Sequence, residues 1–233
     1  MVPFRSYLAR IITRWWLAGL ICTVLSGPLA AQPASRLDQW IAAQSQFKTW
    51  FADAIQTRTL KTLSEPLVST GKVWVAMPDR FRWELGHPAQ TIALRQPDYL
   101  FLIYPRLKRV EKYSLMDKQP GPLRDALALL EASFPRSRAD LESRFRVLSV
   151  SDSNAIAQVA LQPRSSSARK FMTEIQVGFR TNDFSPAFTE LRFSDGSSMR
   201  NDFSQGALNA PLPENLFELK LEPGFTVVEP MGK

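Results

Sequence analysis

One cysteine, one histidine and ten glycines among 233 residues leave few places for catalysis or metal chemistry. The single histidine, His87, sits in a Gly86-His87-Pro88 turn, the setting of an exposed loop residue. No G-x-S-x-G serine elbow occurs, and no glycine-rich loop that could cradle a phosphate. A zinc site needs cysteine or several histidines, and the acids lack the spacing of a calcium loop. These absences speak against an enzyme, a metal and a cofactor. An exported hydrolase built on two carboxylates stays open as an alternative, because such pairs meet only in space.

The N-terminus is the one strongly apolar stretch. Arg5, Arg10 and Arg14 precede Trp15–Gly27, an apolar run too short to span a bilayer comfortably, and Pro28-Leu29-Ala30-Ala31 offers small residues for cleavage. We read residues 1–31 as a secretory signal peptide, residues 32–233 as one domain, and the periplasm as the destination. Leu29 at the −3 position departs from A-x-A and leaves an uncleaved anchor as the other reading. Cleavage after Ala31 removes three arginines and no acid, lowering the formal charge from +7 to +4. It also removes Cys22, and Ile21 before it is not the small residue a lipoprotein signal carries. An exported chain with no disulfide must draw its stability from a packed sheet.

What is there is β pattern, organised around Gly71–Lys112. Phe81, Trp83 and Leu85 share one face of a period-2 run, with Arg80, Arg82 and Glu84 on the other. After the His87-Pro88 turn, Ile92 and Leu94 fall on one side; Tyr99–Tyr104 is then apolar on both faces. An antiparallel sheet usually wets one face. A strand that cannot do so needs cover from a second layer, a ligand, or both.

Around this meander the spacing predicts a helix over 35–47, capped by Ser35, with Leu37, Trp40, Ile41 and Gln44 on one stripe. Strands are expected over 47–63 and 67–77, broken by Pro66, and over 107–115. A second helix follows Pro122, with Leu123, Leu127 and Leu130 on one stripe, and one more turn is expected over 140–145. Later strands are expected at 146–150, 155–161, 171–180, 188–194, 198–203 and 225–228. In the third of these, Phe171, Thr173, Ile175, Val177 and Phe179 form one face. The expected fold is a single strongly curved antiparallel sheet of about eleven strands, an incomplete β-barrel with helices over its concave side. A compact β-sandwich is the alternative.

The order Gly71, Trp74, Pro78, Phe81, Trp83, then an apolar strand ending in Tyr104-Pro105, resembles the LolA-type periplasmic lipoprotein carriers. Phe51, Gln56 and Pro66 stand where that family's first strand and turn place similar residues. The resemblance implies the same half-barrel fold and a chaperone-like transport role. The chain would shield the acyl chains of lipoproteins, or a related lipid, between an inner-membrane lipoprotein-releasing transporter and an outer-membrane acceptor. The concave wall is expected to carry Val75, Phe81, Trp83, Ile92, Leu94, Phe101, Ile103, Ile175 and Val177, each of which ordinary sheet core would explain equally. Leu123, Leu127, Leu130 and Met77 are expected at the lid.

Met77 departs from the family, which carries a lid-closing arginine there; a thioether cannot donate those hydrogen bonds. Either the lid closes by packing, or Arg80 or Arg82 substitutes, or the cargo differs. A lipid-sensing regulatory domain of the same shape is the rival function. Arg80, Arg82, Arg95, Arg106, Lys108 and Arg109 interleave with aromatics, but an exported protein rarely meets nucleic acid, and a solvated strand face explains them. A monomer is expected.

Overall fold

Ser35 starts the first helix, α1 (Arg36–Gln44), by accepting the Asp38 amide on its hydroxyl at 3.2 Å. The stripe Leu37, Trp40, Ile41 and Gln44 is buried as its spacing predicts. Each apolar member contributes roughly 1.5–3 kcal/mol on burial. Gln44 Nε2 donates to the Phe184 carbonyl at 3.0 Å and pins the helix end. The structure is a computed structural model that describes residues 34–115, 132 and 134–230. Residues 1–31, read as a signal peptide, and the leucines expected at the lid, Leu123, Leu127 and Leu130, lie outside the described residues.

Among the described residues twelve strands follow. They are β1 (Thr49–Thr59), β2 (Leu67–Ala76), β3 (Arg80–Leu85), β4 (Thr91–Arg95), β5 (Tyr99–Tyr104) and β6 (Arg109–Ser114), then β7 (Phe145–Ser153), β8 (Ile156–Pro163), β9 (Met172–Arg180), β10 (Pro186–Phe193), β11 (Ser198–Leu208) and β12 (Thr226–Val228). Short helices α2 (Arg138–Arg144) and α3 (Ser166–Arg169) flank β7 and β8. The sheet order is β12-β6-β5-β4-β3-β2-β1-β11-β10-β9-β8-β7. Neighbours are antiparallel except β12, which lies parallel to β6. Edges β12 and β7 do not pair, so the curved sheet stays an open half-barrel.

Residues directly opposite in a ladder share a face, so the pairing register sorts every side chain. One face carries α1 and α2. At one end of it, Leu37, Trp40 and Ile41 pack on Ile175, Val177, Phe179 and Leu191, and Trp40 stacks on Phe179 with centroids 5.0 Å apart. At the other, Trp50, Val73, Val75, Phe81, Leu100, Phe134 and Phe203 form a second cluster. A polar rung separates the two: Gln56 Nε2 donates to Asn201 Oδ1 at 3.0 Å, and Asn201 Nδ2 donates to Thr189 Oγ1 at 3.1 Å.

The opposite face of β2–β6 is covered as well. Leu212, Leu216, Phe217, Leu219, Leu221 and Phe225 lie against Ala76, Leu94, Phe101, Ile103 and Val110. Gln96 Nε2 holds this segment through the Phe217 carbonyl at 2.9 Å. The doubly apolar strand β5 therefore has protein on both sides. One expected face is corrected in β9. The ladder to β10 shifts between Arg192 and Phe193, so buried Met172 faces the core while Phe171 is 56% exposed and Thr173 is exposed.

Candidate functional site

A cleft of about 280 Å³ opens on the helix-bearing face, between the β2–β3 turn and α2. Val75, Phe81 and Phe134 give it an apolar floor, Met77 and Pro78 one wall, and Arg95, Arg136, Asp140 and Arg144 a polar rim. The volume is close to the lower bound of about 300 Å³ for small-molecule pockets.

Each wall has a local cause. The Met77 amide donates to the Lys48 carbonyl at 2.8 Å, which ends β2 and fixes the turn. Ser137 caps α2 by accepting the Asp140 amide at 3.0 Å. Asp140 then accepts Arg144 Nη2 at 2.6 Å and the Arg136 amide at 3.2 Å, so it ties the rim together. Arg138 Nη1 donates to Asp38 Oδ1 at 2.8 Å and fastens α2 to α1.

Of the nine residues expected on the cavity wall, three gather on the cleft's side. Val75 and Phe81 line it, and Trp83 follows Phe81 on the same face of β3. Ile175 and Val177 share the face but are fully buried beneath α1. The expected place of the other four is corrected. Phe81 pairs with Arg95 and Trp83 with Ala93, so Ile92 and Leu94 point to the opposite side. Phe101 pairs with Leu94 and Ile103 with Ile92, so they follow. These four pack under the 212–225 segment. They obey strand alternation; the sequence pattern gave the wrong parity for the inside.

Met77 packs against the second cluster and lines the cleft. Of the two suggested substitute arginines, Arg80 lines the cleft and Arg82 does not. Arg82 Nε donates to Glu84 Oε1 at 2.6 Å on the outer face, and the Arg80 guanidinium lies 5.4 Å from the Phe217 ring centre. Arg95 is the arginine on the cleft's face of β4. Its inward parity is the one that accompanies Ala93, and the sequence reading missed it. Phe134 sits in a Pro-containing irregular segment, where no period marks a face.

Aromatic rings dominate the face beside the cleft. Trp50 meets Phe203 edge to face at 5.0 Å, Phe134 at 5.7 Å, and Trp83 lies 6.0 Å from Phe203. The buried indole Nε1 atoms of Trp50 and Trp83 find no acceptor among the described residues. An unpaired buried donor costs about 1–3 kcal/mol. Farther along the face, Tyr113 donates to Glu111 Oε2 at 2.8 Å. Burial first, and this bond second, push the Tyr113 hydroxyl up to about 12. Among the described residues no group of three or more His, Cys, Asp or Glu is placed to hold a metal ion.

A family model described as outer membrane lipoprotein carrier protein LolA matches residues 45–220. An outer-membrane lipoprotein carrier protein of Chromobacterium violaceum is 25% identical over 213 residues, covering 91% of this chain and 94% of that protein. Its counterpart in Coxiella burnetii is 28% identical over 217 residues, covering 91% and 95%. Among solved structures, a LolA superfamily protein from Nitrosomonas europaea aligns over 79% of this chain and 98% of its own, with a TM-score of 0.39 and 10% identity.

Proposed function

The chain belongs to the LolA family of outer membrane lipoprotein carrier proteins, and on that premise we propose that it carries lipidated cargo through the periplasm by burying an acyl chain in the cleft above β2 and β3. It acts by binding, with no bond made or broken. The observation that carries the reading is the apolar floor of Val75, Phe81 and Phe134 in a half-barrel that never closes. Burying a methylene contributes about 0.8 kcal/mol, so a floor without specific donors can hold a chain of several carbons. The indole N–H groups of Trp50 and Trp83, which meet no acceptor among the described residues, offer donors to an ester or amide carbonyl at the head of such a chain. The polar rim then meets the headgroup or the peptide that follows.

Among the described residues no helix is long and apolar enough to cross a membrane. The proposal places delivery of cargo from an inner-membrane releasing transporter and hand-over to an outer-membrane acceptor at this same cleft. Lipid extraction and mass spectrometry of protein purified from the envelope test it. Acylated peptides or lipids should accompany the native protein and be depleted in Trp83→Glu, with the fold retained. Native protein that carries no acylated molecule, or a Trp83→Glu variant that carries as much, contradicts the reading.

A further inference from the structure

Five exposed large apolar side chains gather at one end of the strands. Leu107 is 71% exposed, Val68 60%, Phe171 56%, Leu67 48% and Leu63 47%. The register puts them together. Thr59 pairs with Ser198 and Arg58 with Leu67, so the β1–β2 hairpin lies beside the β10–β11 turn. The Lys61 amide donates to Ser197 Oγ at 3.3 Å, and the Ser194 amide to the Phe171 carbonyl at 2.9 Å. Gly71 pairs with Leu85, and Tyr104 with Arg109, which sets the β3–β4 turn and the Leu107 tip on the same end.

The same end is basic. Arg106 and Lys108 flank Leu107; Lys61 and Lys170 stand beside Leu63 and Phe171, all four exposed. The exposed acids nearby include Glu65, Asp195 and Glu222, the last in the segment whose Gly224 lies beside Lys108. Every residue from 61 to 70 is exposed, and Leu67–Thr70 extend past the end of β3, whose pairing with β2 stops at Gly71 and Leu85.

We propose that this end of the sheet docks on an anionic lipid bilayer, with Leu63, Leu67 and Leu107 entering the headgroup layer and the neighbouring cations meeting lipid phosphates. Apolar tips that stand apart and alternate with cations suit a deformable, negatively charged interface, where each Lys or Arg near the surface adds about a fivefold gain in binding. A flat acidic protein surface would accept the charges but leave the separated leucines in water. The geometry has a consequence. Ten residue rises separate Leu67 from Met77, about 33 Å along β2, so a docked molecule keeps its cleft away from the bilayer. Docking therefore does not compete with cargo.

The test is flotation of the purified protein with phosphatidylcholine vesicles, with and without phosphatidylglycerol, at low and physiological salt. A fluorescent acyl probe measures cargo binding in the same samples. The protein should float with anionic vesicles only, less at higher salt. Arg106→Glu with Lys108→Glu should reduce binding at least about tenfold, and Leu107→Asp should reduce it severalfold, with acyl-probe affinity unchanged. Should the double reversal misfold, Arg106→Gln with Lys108→Gln replaces it, with a smaller expected loss. Equal binding to neutral vesicles, no binding to anionic ones, or flotation indifferent to the tip variants overturns the proposal. So does capture of an acidic protein through these residues without vesicle binding. Loss of acyl-probe binding in the unaltered protein would instead count against the carrier reading and leave the docking result standing.

Discussion

Trp50 and Phe203 meet edge to face across the β1–β11 ladder, with ring centres 5.0 Å apart and planes at 89°. Both are buried, at 2% and 7% exposure, and together they floor the region beside the cleft. Replacing either ring by alanine should cost about 3–5 kcal/mol through lost transfer energy and a cavity. The double variant should cost less than the sum by about 0.5–1.5 kcal/mol, the part belonging to the ring pair. Urea denaturation of the four proteins of the cycle measures this; strict additivity would mean the rings do not act on each other.

Two glycines are held by close approach and should differ in their intolerance. A Cβ on Gly71 would overlap the Glu84 carbonyl oxygen, a backbone atom fixed in the β2–β3 ladder. A Cβ on Gly178 would overlap the ring of Phe188, a side chain that can swing, although the Arg200 guanidinium sits 4.0 Å from its centre. Gly178→Ala should destabilise by about 1–3 kcal/mol, and Gly71→Ala by more. Melting temperatures in the reverse order would contradict the assignment.

Asp38 carries the join between the two helices. The Ser35 hydroxyl first, and the Arg138 guanidinium second, hold its carboxyl below the usual aspartate range. A depressed folded value means the contribution is present above the ordinary pKa of 3.8 and lost as pH falls through the folded value. Asp38→Asn should therefore lower the melting temperature at neutral pH and flatten its dependence on pH at the acid end. An unchanged acid profile would show that the pair is solvated and inert.

At the alkaline end the sign reverses. Tyr113 is raised to about 12, and Tyr104 is raised as well, first by burial and then by the Glu111 charge. Stability held by the neutral phenol is complete below the ordinary value of 10 and declines as pH rises toward 12. Ultraviolet titration should show a late tyrosinate step that Tyr113→Phe diminishes, leaving the contribution of Tyr104. A titration finished near pH 10 would contradict the burial of this hydroxyl.

The β architecture and helix α1 were legible because period and caps are local. Tyr99–Tyr104 stands as read, and the Leu37, Trp40, Ile41, Gln44 stripe is the buried one. What could not be read was which face of β4 and β5 is the inside. Both parities of β5 are apolar, and the cover that makes Leu94, Phe101 and Ile103 core comes from an irregular segment over a hundred residues away in sequence, with no period of its own. Phe171 departs from the face that alternation predicts because a register shift inserts a phase change that alternation cannot signal. Arg95 and Phe134 reach the cleft through that same inverted parity and through an aperiodic turn.

The account places an acyl chain on one face of the sheet, and two tryptophans report the faces separately. Trp83 shares the cleft's face, while Trp74 pairs with Arg82 on the other and packs in the outer cluster. Fluorescence quenching by a bromine-labelled fatty acyl chain, measured on the unaltered protein, Trp83→Phe and Trp74→Phe, reads the chain's position directly. The account predicts saturable quenching that shrinks in Trp83→Phe and persists in Trp74→Phe. Quenching that disappears with Trp74 and survives without Trp83, or none at all, would contradict it.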